Sequence, residues 1–204
     1  MKKNIVIYGA SGHGKVIADI IIENKEFNLL GFCDDNKNLI GKKINNILVQ
    51  SLDHIELSTD IIIGIGDNQI RKKLFTNLTK KDFSFASTIH SSCIKSQSVQ
   101  IGYGTVVMAG TIINSSCKIG NNCIVNSSAS IDHDCIIKNH SHIAPNATLC
   151  GGCLIGEGTL VGASATIIPG IKVGNNVIVG AGAVVTKDIP DNTTVVGIPV
   201  RKIN

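Results

Sequence analysis

Between Ile101 and Val185 every sixth residue is Ile, Val or Leu, at fifteen successive positions. The residue four places after each is also restricted. It is small without exception from Thr105 through Cys117, Cys123, Cys135 and Cys153 to Ala165, and then reads Ile171, Val177 and Ala183. A period of six fits neither an amphipathic helix nor an isolated strand, so it marks a repeat architecture. A branched apolar residue with a small one four later predicts a hexapeptide β-helix. Three short flat strands make each eighteen-residue coil, and the branched side chains fill a narrow prism. An aromatic content of 3 % with no Trp suits so thin a core.

The first 86 residues follow a different grammar. Asn4–Tyr8, Leu29–Cys33 and 60–66 read as buried strands, and 15–24 and 68–78 as helices with one apolar face. Phe83–Ala86 reads as a last strand leading into the repeat. The chain therefore divides into a small Rossmann-like α/β domain, residues 1–86, and an all-β helix domain, residues 87–204. In a parallel α/β sheet, ligands bind beyond the carboxyl ends of the strands. There the chain carries the glycine turn Gly9-Ala10-Ser11-Gly12-His13-Gly14, the pair Asp34-Asp35, and Gly64-Ile65-Gly66-Asp67-Asn68. Glycine lets a backbone approach a phosphate, and a following helix N-terminus offers free N–H groups. The spacing is not GxGxxG and the domain is about half the size a dinucleotide needs, so a nucleotide or nucleotide-sugar is favoured over NAD.

In the repeat, Ile131-Asp132-His133-Asp134-Cys135 departs from the bland polar pattern. His133 projects outward at a turn, and a neighbouring carboxylate raises imidazole basicity and fixes the ring. That suits a general base acting on an amine or a hydroxyl. Eighteen residues on, Gly151 is expected to stack over His133 and leave room for a ligand. His133, His140 and His142 lack a completing carboxylate or thiolate, so no metal is expected. The seven cysteines include the CxxC of Cys150 and Cys153, but four of them fill the small slot of the repeat, and packing explains them better than zinc or disulfides.

A net charge of +4, with lysine pairs scattered and no aromatics between them, gives no nucleic-acid surface. No stretch approaches the roughly 20 apolar residues of a membrane span. The apolar run Ile5–Tyr8 is too short for a signal peptide, which places the protein in the cytoplasm.

Together the glycine turn, Phe32-Cys33-Asp34-Asp35, the segment Ile65–Lys73, Ile131–Cys135 and the ending Val196-Gly197-Ile198-Pro199-Val200-Arg201 resemble a bacterial family. These are the sugar acetyltransferases that join a small nucleotide-binding domain to a left-handed parallel β-helix, among them UDP-4-amino-sugar N-acetyltransferases and sialic acid O-acetyltransferases. Val200 stands where the family ending usually has Ala. The resemblance implies a homotrimer with acetyl-CoA in the cleft between neighbouring β-helices. It implies His133 as general base, Asp134 as the group that enhances its basicity, and His142, Gly151, Ala163 and Ala181 as cofactor contacts. It places the nucleotide-sugar on Ser11, Gly12, His13, Asp34, Asp35 and Gly66. The expected reaction is direct acetyl transfer to the C4 amine of a UDP-linked 4-amino-4,6-dideoxy sugar for surface glycan or glycoprotein synthesis. O-acetylation of sialic acid, a GDP- or dTDP-linked acceptor, and a non-catalytic nucleotide-sugar-binding scaffold are the alternatives.

Overall fold

The computed structural model describes residues 2–203. Five strands, β1 (Lys3–Tyr8), β2 (Phe27–Cys33), β3 (Lys43–Ile44), β4 (Ile47–Gln50) and β5 (Asp60–Ile63), form one sheet in the order β3-β4-β2-β1-β5. Side chains alternate across β1 as strand geometry demands. Ile5 and Ile7 pack with Ile17, Ile20 and Ile21 of α1 (Gly12–Asn24), whereas Val6 and Tyr8 pack with Leu78 of α2 (Asn68–Thr79). The α1-side core also takes in Ala86, Val106 and Met108, which joins the α/β domain to the coils that follow.

Three expectations change here. The first helix starts at Gly12, because Ser11 is already an extended N-cap. The expected strand 83–86 shrinks to a single bridge between Ile61 and Phe85, since the chain leaves the sheet edge to start the next domain at Thr88. The sheet also gains an antiparallel edge hairpin, β3–β4, closed by Asn45 and Asn46, both left-handed at φ 49° and 62°.

From Thr88 onward nearly every strand is two residues long, and the strands stack into three sheets of six, five and eight. Partners within a sheet are eighteen residues apart, so Val107, Val125, Ile143 and Val161 form one buried column. This is the left-handed parallel β-helix expected from the hexapeptide repeat. A third series accompanies the two legible in the sequence. Every sixth residue from Gly104 to Gly182 has a left-handed backbone, and each is Gly, Asn, Ser, Asp or His. Glycine adopts that conformation freely and short polar residues tolerate it.

The small slot is also polar for a reason. Thr105, Ser141 and Thr159 donate their hydroxyls to the carbonyls of Gly120, Gly156 and Gly174, fifteen residues on. Cys117, Cys123, Cys135 and Cys153 do the same with their thiols, to Asp132, Lys138, Cys150 and Ile168. These cysteines are internal hydrogen-bond donors. The register ends at Val185 because the last coil is shorter: Val173 bridges Ile189 and Val179 pairs with Val195, sixteen residues apart.

Candidate active site

At the carboxyl end of the first sheet, β1 turns through Gly9 into α1 beneath the end of β5. A Cβ on Gly14 would run into the Gly9 carbonyl oxygen, and one on Gly64 would lie 2.8 Å from the Gly14 Cα, so both glycines are required by close backbone packing. Gly12 and Gly66 are different. Neither has any atom within 4 Å of an added Cβ and both are exposed, so the protein's own packing does not demand glycine there. Ser11 donates its hydroxyl to the Gly64 carbonyl at 3.3 Å and makes no side-chain cap, which leaves the first N–H groups of α1 open.

Asp34 uses both oxygens on the chain. Oδ2 accepts from the Ala10 N–H and Oδ1 from the Asn36 N–H, each at 2.9 Å, so its visible role is to brace the glycine turn. Asp35 is exposed and accepts a 2.6 Å bond from the Tyr8 hydroxyl at the edge of a cleft of about 610 Å³. Burial, reinforced by that carboxylate, holds the Tyr8 phenol protonated.

The two domains meet along one corner of the β-helix, between its five- and eight-stranded sheets. Asn68 donates to the Gly158 carbonyl, Gln69 to Asn176, Lys72 to Glu157, and Arg71 to the carbonyls of Asn122 and His140. On the adjoining eight-stranded face lies His142, its Nε2 3.0 Å from the Asn126 amide. Burial, then the Arg71 and His13 charges, push His142 down to about 3. Burial and Arg71 likewise push His13 down to about 4, and the His13 Nε2 is buried with no hydrogen-bond partner among the described residues. Both imidazoles are therefore neutral at physiological pH.

His133 stands elsewhere, on the corner between the six- and five-stranded sheets. Its side chain is 60 % exposed, and Nδ1 lies 2.7 Å from Asp134 Oδ2. That contact and the Asp132 charge raise its pKa above the ordinary value. Asp134 occupies a left-handed slot at φ 60°. As expected, Gly151 sits over the ring: a Cβ there would lie 2.7 Å from both Cε1 and Nε2. Ala163 and Ala181 stack on the remaining corner, joined through the Gly182 N–H and the Ala163 carbonyl at 2.8 Å. Among the described residues, no hydrogen bond or ion pair from the α/β domain reaches the His133 corner. One chain thus brings His13, Gly66 and His142 together, and His133, Asp134 and Gly151 together, as two separate half-sites.

Comparison with known proteins matches both halves of this arrangement. The PglD N-terminal domain family matches residues 4–78, and the bacterial transferase hexapeptide (six repeats) family matches 116–151 and 152–187. The acetyltransferase domain of PglB from Neisseria gonorrhoeae FA1090, solved with acetyl coenzyme A, is 33 % identical over 100 % of both chains with a TM-score of 0.93. The chain belongs to this PglD-type hexapeptide acetyltransferase family. A variant of perosamine N-acetyltransferase from Caulobacter crescentus, in complex with CoA and GDP-perosamine, is 31 % identical with a TM-score of 0.91, over 98 % of this chain and 97 % of that one. UDP-N-acetylbacillosamine N-acetyltransferase from Bacillus subtilis (strain 168) is 39 % identical over 112 residues. That match spans about half of each protein, 52 % of this chain and 52 % of the relative.

Two residues lie within motifs legible in the sequence but were given no role of their own. Asp132 accepts from Asn114 Nδ2 and from the His133 N–H through Oδ1, and its Oδ2 lies 3.9 Å from His133 Nε2. Arg71 is buried at 1 % exposure. Its signal was present, because Arg71, Leu74, Phe75 and Leu78 have the i, i+3, i+4, i+7 spacing of a buried helical stripe.

Proposed function

We propose that this protein is an acetyl-CoA-dependent N-acetyltransferase whose acceptor is the C4 amine of a nucleotide-linked 4-amino-4,6-dideoxy sugar, with UDP as the carrier. The observation that carries this reading is the His133 ring: Nδ1 is held by Asp134, and Nε2 faces the space that Gly151 leaves empty. With Nδ1–H donated to the carboxylate, Nε2 is the basic nitrogen. It accepts the proton of the sugar amine as the amine nitrogen attacks the thioester carbonyl. The tetrahedral oxyanion then collapses, the C–S bond breaks, and the departing thiolate takes the proton back from His133. Direct transfer needs no cysteine as a covalent carrier, and the four thiols of the repeat's small slot are committed to main-chain carbonyls.

Ser11, Gly12, His13, Asp35 and Gly66 hold the nucleotide-sugar in this reading, with Asp34 bracing the turn. His142, Gly151, Ala163 and Ala181 line the acetyl-CoA path. Because the two half-sites lie on different sides of one chain, a complete site needs a second copy, and a homotrimer closes that arrangement. A neighbour's His133 corner then faces the His13–Gly66–His142 ledge. N-acetylation is favoured over O-acetylation of sialic acid because the open α1 N-terminus and Gly66 suit a phosphate-bearing acceptor. The relatives named for GDP-perosamine and UDP-N-acetylbacillosamine both act on nucleotide-linked sugars. Among the described residues no helix is long and apolar enough to cross a membrane, in keeping with a cytoplasmic enzyme.

The test is CoA release with UDP-, dTDP- and GDP-linked 4-amino sugars and with sialic acid. Turnover is expected with the UDP-sugar. Turnover with sialic acid alone overturns the acceptor class, and nucleotide-sugar binding without CoA release leaves a scaffold instead of an enzyme.

A further inference from the structure

Among the described residues Arg71 is the largest fully buried side chain, and its partners are unusual for a buried cation. Nε donates to the Asn122 carbonyl at 3.1 Å. Nη1 donates to the carbonyls of Ile65 and Gly66 at 3.3 and 3.0 Å. Nη2 donates to Asn68 Oδ1 and the His140 carbonyl, both at 2.8 Å, and to the Ser141 carbonyl at 3.4 Å. None of these is a carboxylate. Asp67, an acid whose charge acts on Arg71, is exposed and caps α2 through the Ile70 N–H at 2.8 Å.

These acceptors satisfy the N–H groups of Arg71 but do not neutralise it, and a buried charge without a counter-charge is costly. The positive charge itself therefore calls for an explanation beyond packing. Its surroundings supply one. Nη1 grips the peptide of Gly66, an exposed glycine with open space above it. The uncapped start of α1 and the unpartnered His13 Nε2 lie within reach of the same charge. Arg71 thus bonds the glycine loop directly and acts through its charge on His13, in the first turn of α1, and among the described residues its hydrogen-bond acceptors include no carboxylate.

We propose that Arg71 is a positioning residue for the acceptor's diphosphate. It acts through the peptide of Gly66 and through its charge, without touching the ligand, while its bonds to Asn122, His140 and Ser141 hold that loop at a fixed height on the β-helix. This rests on the nucleotide-sugar reading above. The titratable and charged groups packed around it are His13 on α1, Asp67 and Lys72 on α2, and Cys123, His140, His142 and Glu157 on the β-helix.

The experiment is calorimetric titration of the full-length protein with uridine, UMP and UDP, and with the guanosine series, comparing wild type, Arg71→Gln and Arg71→Lys. In Arg71→Gln the affinity gained from nucleoside to diphosphate is expected to shrink by about tenfold or more, while Arg71→Lys, which keeps the charge, retains most of it. Nucleoside affinity should change little in either. Equal losses for nucleoside and diphosphate indicate a merely structural arginine and overturn the proposal, as does an unchanged gain in Arg71→Gln. If wild type binds no nucleotide, the nucleotide-sugar reading fails first and is identified as the cause. Should Arg71→Gln not fold, Arg71→Met, an uncharged chain of similar length, takes its place in the same titration: a shrunken gain from nucleoside to diphosphate supports the proposal, and an unchanged gain or an equal loss for the nucleoside overturns it.

Discussion

His133 stands in water between two carboxylates, whereas His13 and His142 are enclosed beside a buried arginine, and the contrast divides the work of a transferase between two places. Acid neighbours and solvent make His133 a better base than free imidazole. Burial and a cation keep the other two neutral, and a neutral ring donates or accepts a hydrogen bond without competing for the proton. In the proposed mechanism one residue type serves as proton acceptor on one corner and as uncharged ligand support on the opposite ledge. The environment makes the difference: short acidic residues at a turn on one side, a domain junction on the other.

Removing the proposed base should cost the most. His133→Ala is expected to lower kcat by about 10²–10⁴-fold with an unchanged thermal transition, measured by CoA release and melting. Near-normal turnover would remove His133 from the mechanism. Gly151→Val fills the space over the ring and should cost about 10²-fold, because a small displacement of reacting groups is enough for that. If Gly151→Val is fully active, the space above Nε2 is not where the acetyl group lies.

Asp134→Asn keeps a residue that tolerates the left-handed backbone but loses the charge. In wild type the acidic limb of kcat/KM should lie above the ordinary imidazole range, since His133 must be neutral to act and its pKa in the free enzyme is raised. The variant's limb should move down, with a modest fall in plateau activity; an unmoved limb contradicts the role given to the carboxylate.

The buried pair makes a smaller and opposite prediction about stability. Folded His13 and His142 resist protonation that the unfolded chain accepts near 6.5, so the unfolded state binds more protons between about 6.5 and about 4. Stability should fall as pH drops through that window, by on the order of 1 kcal/mol per pH unit for each group. Denaturant melts of wild type and of His13→Asn/His142→Asn at pH 7 and 5 measure this, and an equal loss in both proteins contradicts it. Smallest of all, Gly12→Ala and Gly66→Ala should weaken nucleotide binding without lowering Tm. A lowered Tm would return those glycines to packing.

The β-helix was readable because its core repeats: the branched series has one physical cause per coil, and eighteen-residue stacking placed Gly151 over His133 before any coordinates. The left-handed series is equally regular, but its residues share a backbone conformation and not a hydropathy, so it does not stand out in composition. The hairpin at Asn45-Asn46 was missed because its strands are too short to show a period. Arg71 was missed because a charged residue in a helical stripe is ordinarily solvated. The separation of the half-sites was hidden for a deeper reason. His133 and His142 are nine residues apart in sequence, half a coil, and only the closed prism shows that half a coil carries the chain to another side.

The left-handed slots also set how such a site can be placed. Asp134 fills a position where Asn122, Asn146 and Asn176 serve elsewhere, so the scaffold accepts the orienting carboxylate on any coil. A histidine–aspartate pair shifted by eighteen residues stays on its corner and rises by one strand spacing, about 4.8 Å. Shifted by six, it moves to another corner altogether. The height of such a pair above the His13–Gly66–His142 ledge is therefore adjustable only in whole coils, a ruler with fixed graduations against which the length of the proposed acceptor has to be matched.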